Sequence, residues 1–318
     1  MTLRLASRGS TLALWQAHHV QALLRALHGD LEIHIEIVRT TGDRITDVPL
    51  AMIGDRGLFT KEVDNAVLDG RTDFAVHSFK DVPTQIPDGL TLGAVLERED
   101  PRDAFLPGPG QPACIGDLPA GARIGTSSLR RRSLLLALRA DLIVEDLRGN
   151  LDSRLHKLAE GRYDGIILAL AGLRRFGRED RAGELLDPPH WLPAAGQGAL
   201  ALVARADDAE TLARIQPLNH APTHAATAAE RAFLRRLEGG CQIPIGALGT
   251  LAGPRLTIRG LVASLDGTSV VRGEITGSAD EARTVGEKLA EQLRAHGAEE
   301  VLRAIRSSNP EIPPPPAP

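Results

Sequence analysis

Four short polar stretches in this chain carry the same chemistry, and a fifth carries a thiol. The four are Ser7-Arg8-Gly9-Ser10, Lys80-Asp81, Thr126-Ser127-Ser128 followed by Arg130-Arg131, and Arg148-Gly149-Asn150 followed by Arg154. Each stands at the end of an apolar run that reads as a strand. Hydroxyls, helix N-termini and guanidinium forks gathered there bind carboxylates or phosphates. A single arginine of this kind is an ordinary solvated charge. Recurrence at four strand ends points instead to one crevice for a ligand with several acidic groups. The chain has no Walker-type phosphate loop and no GxGxxG, which disfavours nucleotides, and no GxSxG elbow for a serine hydrolase.

Asp81 is the carboxylate embedded in one of these turns, and Lys80 beside it favours the ionised form. Ionised, it stabilises a developing cation; equally, an aspartate ahead of Pro83 is a turn former or cap, and spacing does not choose between the two. The thiol is Cys241, in Leu237-Glu238-Gly239-Gly240-Cys241. Ala226, Ala229, Phe233 and Leu237 repeat at helical spacing before it, so a helix is expected over 223–237, capped by Thr223 and closed by Gly239. A cysteine just past a helix end is either an inert packing residue or an exposed nucleophile. The histidines show no ligand spacing with Cys114 or Cys241, and Pro222 interrupts His220 and His224, so no metal site is expected.

The elements around these groups repeat one grammar of strand, polar turn and helix. Strands are expected at 3–6, 31–38 and 73–76, with helices from Leu12 and over 58–68. The stretch 97–112, ending in Pro107-Gly108-Pro109-Gly110, reads as a linker. Beyond it the grammar resumes with strands at 123–125, 142–147 and 166–170 and helices over 128–139 and 151–159. The continuous apolar run at 166–170 suits a strand covered on both faces of a parallel sheet. A strand at 199–204 returns to the first block, giving two lobes joined by two crossings, with a cleft between them. The pattern then changes: strands at 256–264 and 270–275 flank the hairpin signal Asp266-Gly267, and a helix follows over 279–295.

With 318 residues, 42% of them hydrophobic and 25% charged, the chain is long enough for two or three cores. Two distant cysteines build no disulfide framework, and the first residues lack the apolar core of a signal peptide, so a reducing cytoplasm is expected. The longest apolar runs, 165–173 and 198–204, fall well short of the ~20 residues needed to cross a bilayer, so no membrane role is expected. A net charge of −4 argues against nucleic acid.

The strings Leu12-Ala13-Leu14-Trp15-Gln16-Ala17, Gly57-Leu58-Phe59, His77-Ser78-Phe79-Lys80-Asp81-Val82-Pro83, Gly125-Thr126-Ser127-Ser128-Leu129-Arg130-Arg131, Leu147-Arg148-Gly149-Asn150 and Leu237-Glu238-Gly239-Gly240-Cys241 stand in order. Together, over about 3–305, they resemble porphobilinogen deaminase, also called hydroxymethylbilane synthase. The resemblance implies a transferase that joins four porphobilinogen molecules head to tail with loss of ammonia, on a dipyrromethane cofactor in thioether linkage to Cys241. It implies that Asp81 stabilises the cationic pyrrole left when ammonia departs. Matched positions give Ser78, Lys80, Thr126, Ser127, Ser128, Arg130 and Arg131 to the cofactor carboxylates. They give Arg8, Ser10, Gln16, Arg148, Arg154 and Gln197 to the substrate or growing chain. The fold class expected is α/β, two doubly wound lobes around a periplasmic-binding-protein-like cleft, plus a small α+β third domain with an antiparallel sheet. Lobe 1 comprises 1–98 and 195–215, lobe 2 99–194, and the third domain 216–306, followed by a disordered proline-rich tail at 307–318. A monomer is expected. Thr11, Met52 and Arg56 depart from the family pattern. The same architecture also admits a second reading, a non-catalytic two-lobed binding protein for an acidic small molecule.

Overall fold

A computed structural model describes residues 2–29, 31–40, 60–237 and 243–308. The first unit is strand β1 (Thr2–Ser7), a polar turn and helix α1 (Thr11–Leu27). Ser10 caps that helix, its Oγ accepting from the Ala13 amide at 3.3 Å. β2 (Glu32–Ile37), α2 (Lys61–Leu68), β3 (Phe74–Ser78) and β4 (Leu90–Val95) complete the N-terminal run of this lobe. The second lobe runs through β5 (Asp103–Pro107), β6 (Arg123–Gly125), α3 (Leu129–Leu138), β7 (Ile143–Glu145) and α4 (Leu151–Ala159). It ends with β8 (Gly165–Ala169), α5 (Leu170–Arg175) and β9 (Glu184–Leu186). The chain then crosses back as β10 (Leu200–Arg205) and α6 (Ala209–Ile215). The third unit is α7 (Ala221–Arg236), β11 (Ile245–Ala252), β12 (Arg255–Ala263), β13 (Val270–Ser278), α8 (Ala282–Leu293) and α9 (Glu299–Ser308).

The two lobe sheets have one plan, β2-β1-β3-β10-β4 and β7-β6-β8-β5-β9. In each, three strands are parallel, which gives the doubly wound lobes expected from sequence. The fourth strand runs antiparallel to both neighbours, so neither sheet is purely parallel. That strand is the first element after a crossing in both cases. The linker read over 97–112 is therefore shorter than expected. Asp103–Pro107 is a sheet strand whose Ala104, Phe105 and Leu106 are fully buried, and its apolar character outweighs the flanking prolines and charges. The two crossings touch at Gly198, whose φ of +90° and whose approach to Glu99, 2.3 Å from a built Cβ to the carbonyl oxygen, leave no room for a side chain.

The third unit is a three-stranded antiparallel sheet, β11-β12-β13, packed against α7 and α8. Its hairpin tip lies against α3, where a Cβ on Gly267 would stand 2.5 Å from the Ser133 carbonyl oxygen. Leu248 and Leu261 enter the same apolar cluster as Leu134, Leu135 and Trp191 of the second lobe. α7 starts at Ala221, two residues before the expected cap. Pro222 fits the first helical turn, which needs no backbone donor there. Thr223 is instead buried inside the helix, its Oγ1 accepting from the Arg98 amide at 3.1 Å. Ser307 and Ser308, assigned from sequence to a disordered tail, close α9; 309–318 lie outside the described residues.

Glu230 joins these units. Wholly buried on α7, it accepts from Arg98 at 2.5 and 3.2 Å, from the Gly196 amide of the second crossing at 2.7 Å, and from the Gly249 amide of β11 at 2.8 Å. Removing the carboxylate leaves two buried amides without that acceptor and the Arg98 guanidinium held only by its Nε bond to the Gln197 carbonyl, at 2.7 Å. Glu230→Ala is expected to lower the unfolding free energy by about 3–5 kcal/mol, read from urea unfolding of the full chain; a loss below ~1 kcal/mol contradicts this account.

Candidate active site

A cavity of about 850 Å³ opens between the lobes. Three helices of eight or more residues start at its wall, each capped by a polar side chain: Ser10 for α1, Ser128 for α3 and Asn150 for α4. Asn150 accepts from the Ser153 amide at 2.9 Å and Ser128 from the Arg131 amide at 3.4 Å. Neither α1 nor α3 has an acidic residue in its first turn, so the positive helix ends face the cavity unopposed by their own side chains.

Among the described residues the lining carries Arg8, Arg39, Lys80, Arg130, Arg131, Arg148, Arg154 and Arg175 against two carboxylates, Asp81 and Asp152. Eight cations to two carboxylates make the described lining strongly basic and suit it to an acidic ligand. Burial pushes the Arg154 guanidinium down to about 10, helped by Arg131 and Arg148 and opposed by Asp81. Arg175 is likewise lowered to about 10 by burial; it donates to the Gly198 carbonyl at 2.6 Å and lies 5.9 Å from the Trp15 ring centre. The half-buried Lys80 ammonium is lowered to about 8 by desolvation and by the nearby Arg131 and Arg130, with Asp81 and Asp103 opposing.

The turn carrying Lys80 and Asp81 is a short 3₁₀ segment, Phe79–Asp81, at the end of β3. Arg231 of α7 holds it from behind, donating to the carbonyls of Val82, at 2.8 Å, and Pro83, with its guanidinium 4.6 Å from the Phe79 ring centre. Gln16 donates to Ser78 Oγ at 2.9 Å across the lobe. Ser127 donates to the Leu147 carbonyl at 3.0 Å. Gln197 takes Lys80 Nζ on its oxygen at 3.5 Å and gives its amide to Asp103 at 2.8 Å.

Of the residues singled out from sequence, Arg8, Ser10, Gln16, Ser78, Lys80, Asp81, Ser127, Ser128, Arg130, Arg131, Arg148, Arg154 and Gln197 converge on this one cavity. Thr126 does not line it; buried behind the wall, its Oγ1 accepts from the Ser128 amide at 3.3 Å. Cys241, Met52, Arg56 and Phe59 lie outside the described residues, while Leu234 and Ile243, to either side of 238–242, line the cavity. Sequence reasoning missed Arg175, Arg39, Arg231 and Asp103. Arg175 follows yet another strand end, β8, and the strand-end rule applied once more reaches it. Asp103 shows only as an acid opening an apolar strand that was read as linker.

Comparison with known families decides the chemistry. Residues 3–213 match the family described as porphobilinogen deaminase, dipyromethane cofactor binding domain, and residues 225–295 match porphobilinogen deaminase, C-terminal domain. The chain belongs to the porphobilinogen deaminase family. It is a transferase that polymerises porphobilinogen into hydroxymethylbilane, with a dipyrromethane cofactor. Among solved structures it is similar to the BvgS VFT2 domain of Bordetella pertussis (14% identity, 68% of this chain and 86% of that chain, TM-score 0.41). It is also similar to the methionine binding protein MetQ (12% identity, 68% and 89%, TM-score 0.44). Likeness this distant identifies no activity. The binding-protein reading is set aside, since the family matches cover both lobes and the third unit. No helix among the described residues is long and apolar enough to cross a membrane.

The lysine gives the deaminase cleft a pH signature. A carboxylate bound at Lys80 would raise its pKa above about 8, so that binding above that pH would take up a proton. Affinity for an acidic pyrrole is expected to be flat from pH 6.5 to 8 and to fall as pH rises beyond 8, with Lys80→Met removing the slope. Calorimetric titration across pH 6.5–9.5 measures it; equal slopes in both proteins count against the assignment.

Proposed function

We propose that the cleft residues divide the family's reaction among themselves as follows. Lys80, Ser78, Arg130, Arg131, Thr126, Ser127 and Ser128 hold the carboxylates of the dipyrromethane group, with Thr126 acting through the Ser128 turn it braces. Arg8, Ser10, Gln16, Arg148, Arg154 and Gln197 hold the incoming or growing chain. The excess of eight cations over two carboxylates along the described lining carries this reading, because each pyrrole brings an acetate and a propionate. The donor set fits that group. Among the described residues, the Nε–Nη2 edge of Arg130 has no protein partner, its Nη1 being occupied by Asp103 at 2.8 Å and the Leu192 carbonyl at 2.7 Å.

The dipyrromethane group, when bound through Cys241, supplies the nucleophilic pyrrole carbon on which the chain grows. The protein's own part is electrostatic and positional. Porphobilinogen enters with its carboxylates on the arginines, which fixes the orientation of its aminomethyl arm. Loss of ammonia leaves positive charge on the substrate pyrrole, in a cleft already crowded with cations. Asp81 offsets that charge and then accepts the pyrrole proton that coupling releases. Arg231 keeps the Asp81 turn in place through the carbonyls of Val82 and Pro83. We further propose lobes of 1–98 with 195–215 and of 99–194, and a third domain of 216–306 that bears the cysteine; this unit touches the first lobe through Arg231 and the second through Leu248 and Leu261. We take the protein to act as a monomer and, with a net charge of −4, without nucleic acid. Its two well-separated cysteines suit a cytoplasmic setting.

Intact-protein mass spectrometry tests the attachment: an adduct of two pyrrole units is expected, absent from Cys241→Ser, and an active protein without any adduct overturns the reading. Asp81→Ala is expected to keep its fold and adduct while losing at least about a hundredfold in turnover; near-native turnover removes Asp81 from the reaction. Arg148→Leu is expected to stall elongation, seen as missing enzyme–intermediate bands on a native gel.

A further inference from the structure

Asp103 does not line the cavity, yet five hydrogen bonds from four side chains end on its wholly buried carboxylate. Oδ1 accepts from Arg131 Nε and Nη2, at 3.2 and 2.7 Å, and from Gln197 Nε2 at 2.8 Å. Oδ2 accepts from Arg130 Nη1 and from the Trp191 indole, each at 2.8 Å. We propose that Asp103 is a positioning residue for the deaminase reaction, the internal counter-charge that aims both guanidiniums and, through Gln197, the Lys80 ammonium at the carboxylates of the bound pyrroles.

Two adjacent guanidiniums repel, and each has rotamers that turn its fork away from the cleft. One carboxylate taking Nη1 of Arg130 and the Nε–Nη2 edge of Arg131 fixes both planes at once. Arg131 is further fixed by Nη1 donating to the Ile167 carbonyl at 3.0 Å. The Nε–Nη2 edge of Arg130 is left for a ligand. Charge is set by the same group: two guanidiniums and one carboxylate leave one net positive charge, and a protonated Lys80 makes two. The cluster holds together without ligand and still requires an anion to become neutral. Burial alone would raise the Asp103 carboxyl, but Arg130 and Arg131 more than offset it and hold it far below the usual carboxylate range, so the counter-charge persists at every working pH. The groups that set Lys80 are Asp81 beside it, Asp103 behind Gln197, and Arg131 and Arg130 on α3. Removing the Asp103 charge leaves Lys80 facing both guanidiniums with Asp81 alone in opposition.

The inference rests on Lys80 and Arg130 binding ligand carboxylates, and the test separates the two. In the full-length Cys241→Ser background, where no variant carries the adduct, Lys80 is titrated by pH-dependent trace acetylation read by peptide mass spectrometry; in the Cys241 protein the fraction of each variant that carries the two-pyrrole adduct is read by intact mass. Asp103→Asn is expected to lower the Lys80 midpoint by about one pH unit relative to the parent protein and to lower the adduct-bearing fraction about tenfold. Trp191→Phe, which removes a donor but no charge, is expected to lower the thermal midpoint and leave the Lys80 titration in place. Asp103→Glu is expected to keep the Lys80 midpoint while lowering the adduct-bearing fraction, and it decides the matter if Asp103→Asn does not fold: Asp103→Glu with the parent's adduct-bearing fraction overturns the inference. If Arg130→Met and Lys80→Met carry the adduct in full, the site reading itself fails. If they lose it while Asp103→Asn keeps both the parent's adduct-bearing fraction and its Lys80 midpoint, Asp103 is structural and the inference alone is lost.

Discussion

A buried guanidinium costs several kcal/mol to desolvate unless a carboxylate meets it with good geometry; among the described residues this chain buries two at its cleft, Arg130 and Arg131, and nearly buries Arg98 behind it. Arg130 and Arg131 are met by Asp103, and Arg98 by Glu230, both carboxylates being fully out of solvent. The arrangement follows from what the cleft must do. A ligand bristling with carboxylates needs cations whose hydration has already been stripped, and those cations need internal partners so that the protein folds without the ligand. Too few partners and the lobes repel; too many and nothing is left for substrate. Among the described residues the lining resolves this with eight cations and two carboxylates at the cavity wall, and Asp103 behind them.

Both internal carboxylates sit where the lobes join. Asp103 opens β5, the first strand after the first crossing, and accepts from Gln197 of the second. Glu230 takes Arg98 from the first crossing and the Gly196 amide from the second. The joint between lobes and the scaffold of the anion site are therefore one hydrogen-bonded structure. The third unit shares in it, since Glu230 and Arg231 lie on adjacent positions of α7, and Arg231 grips the turn that carries Asp81.

Much of this was legible in the chain. Ser10, Ser128 and Asn150 were placed at turns ahead of helices because an N-cap is a local event, decided within three residues. The apolar run of β8 and the hairpin around Asp266-Gly267 were read for the same reason. Misreadings came where a local signal had a distant override. Prolines and charges around Asp103–Pro107 looked like linker, but both sides of that strand pair with β8 and β9. Thr223 looked like a cap, but Arg98, 125 positions away, takes its hydroxyl as acceptor.

The sequence by itself determined the repeating strand, turn and helix units, the basic and hydroxyl groups at their junctions, and, through six ordered strings, the family. Periodicity, capping and motif spacing all act over a few residues, so a linear reading reaches them. Tertiary structure alone decided which arginines are held by the protein and which are offered to a ligand. That choice turns on Asp103 meeting Gln197 across 94 positions and Glu230 meeting Arg98 across 132. Pairings so distant exist only once both sheets have closed around the crossings, because only then is the carboxylate dry enough to be worth more to a guanidinium than water.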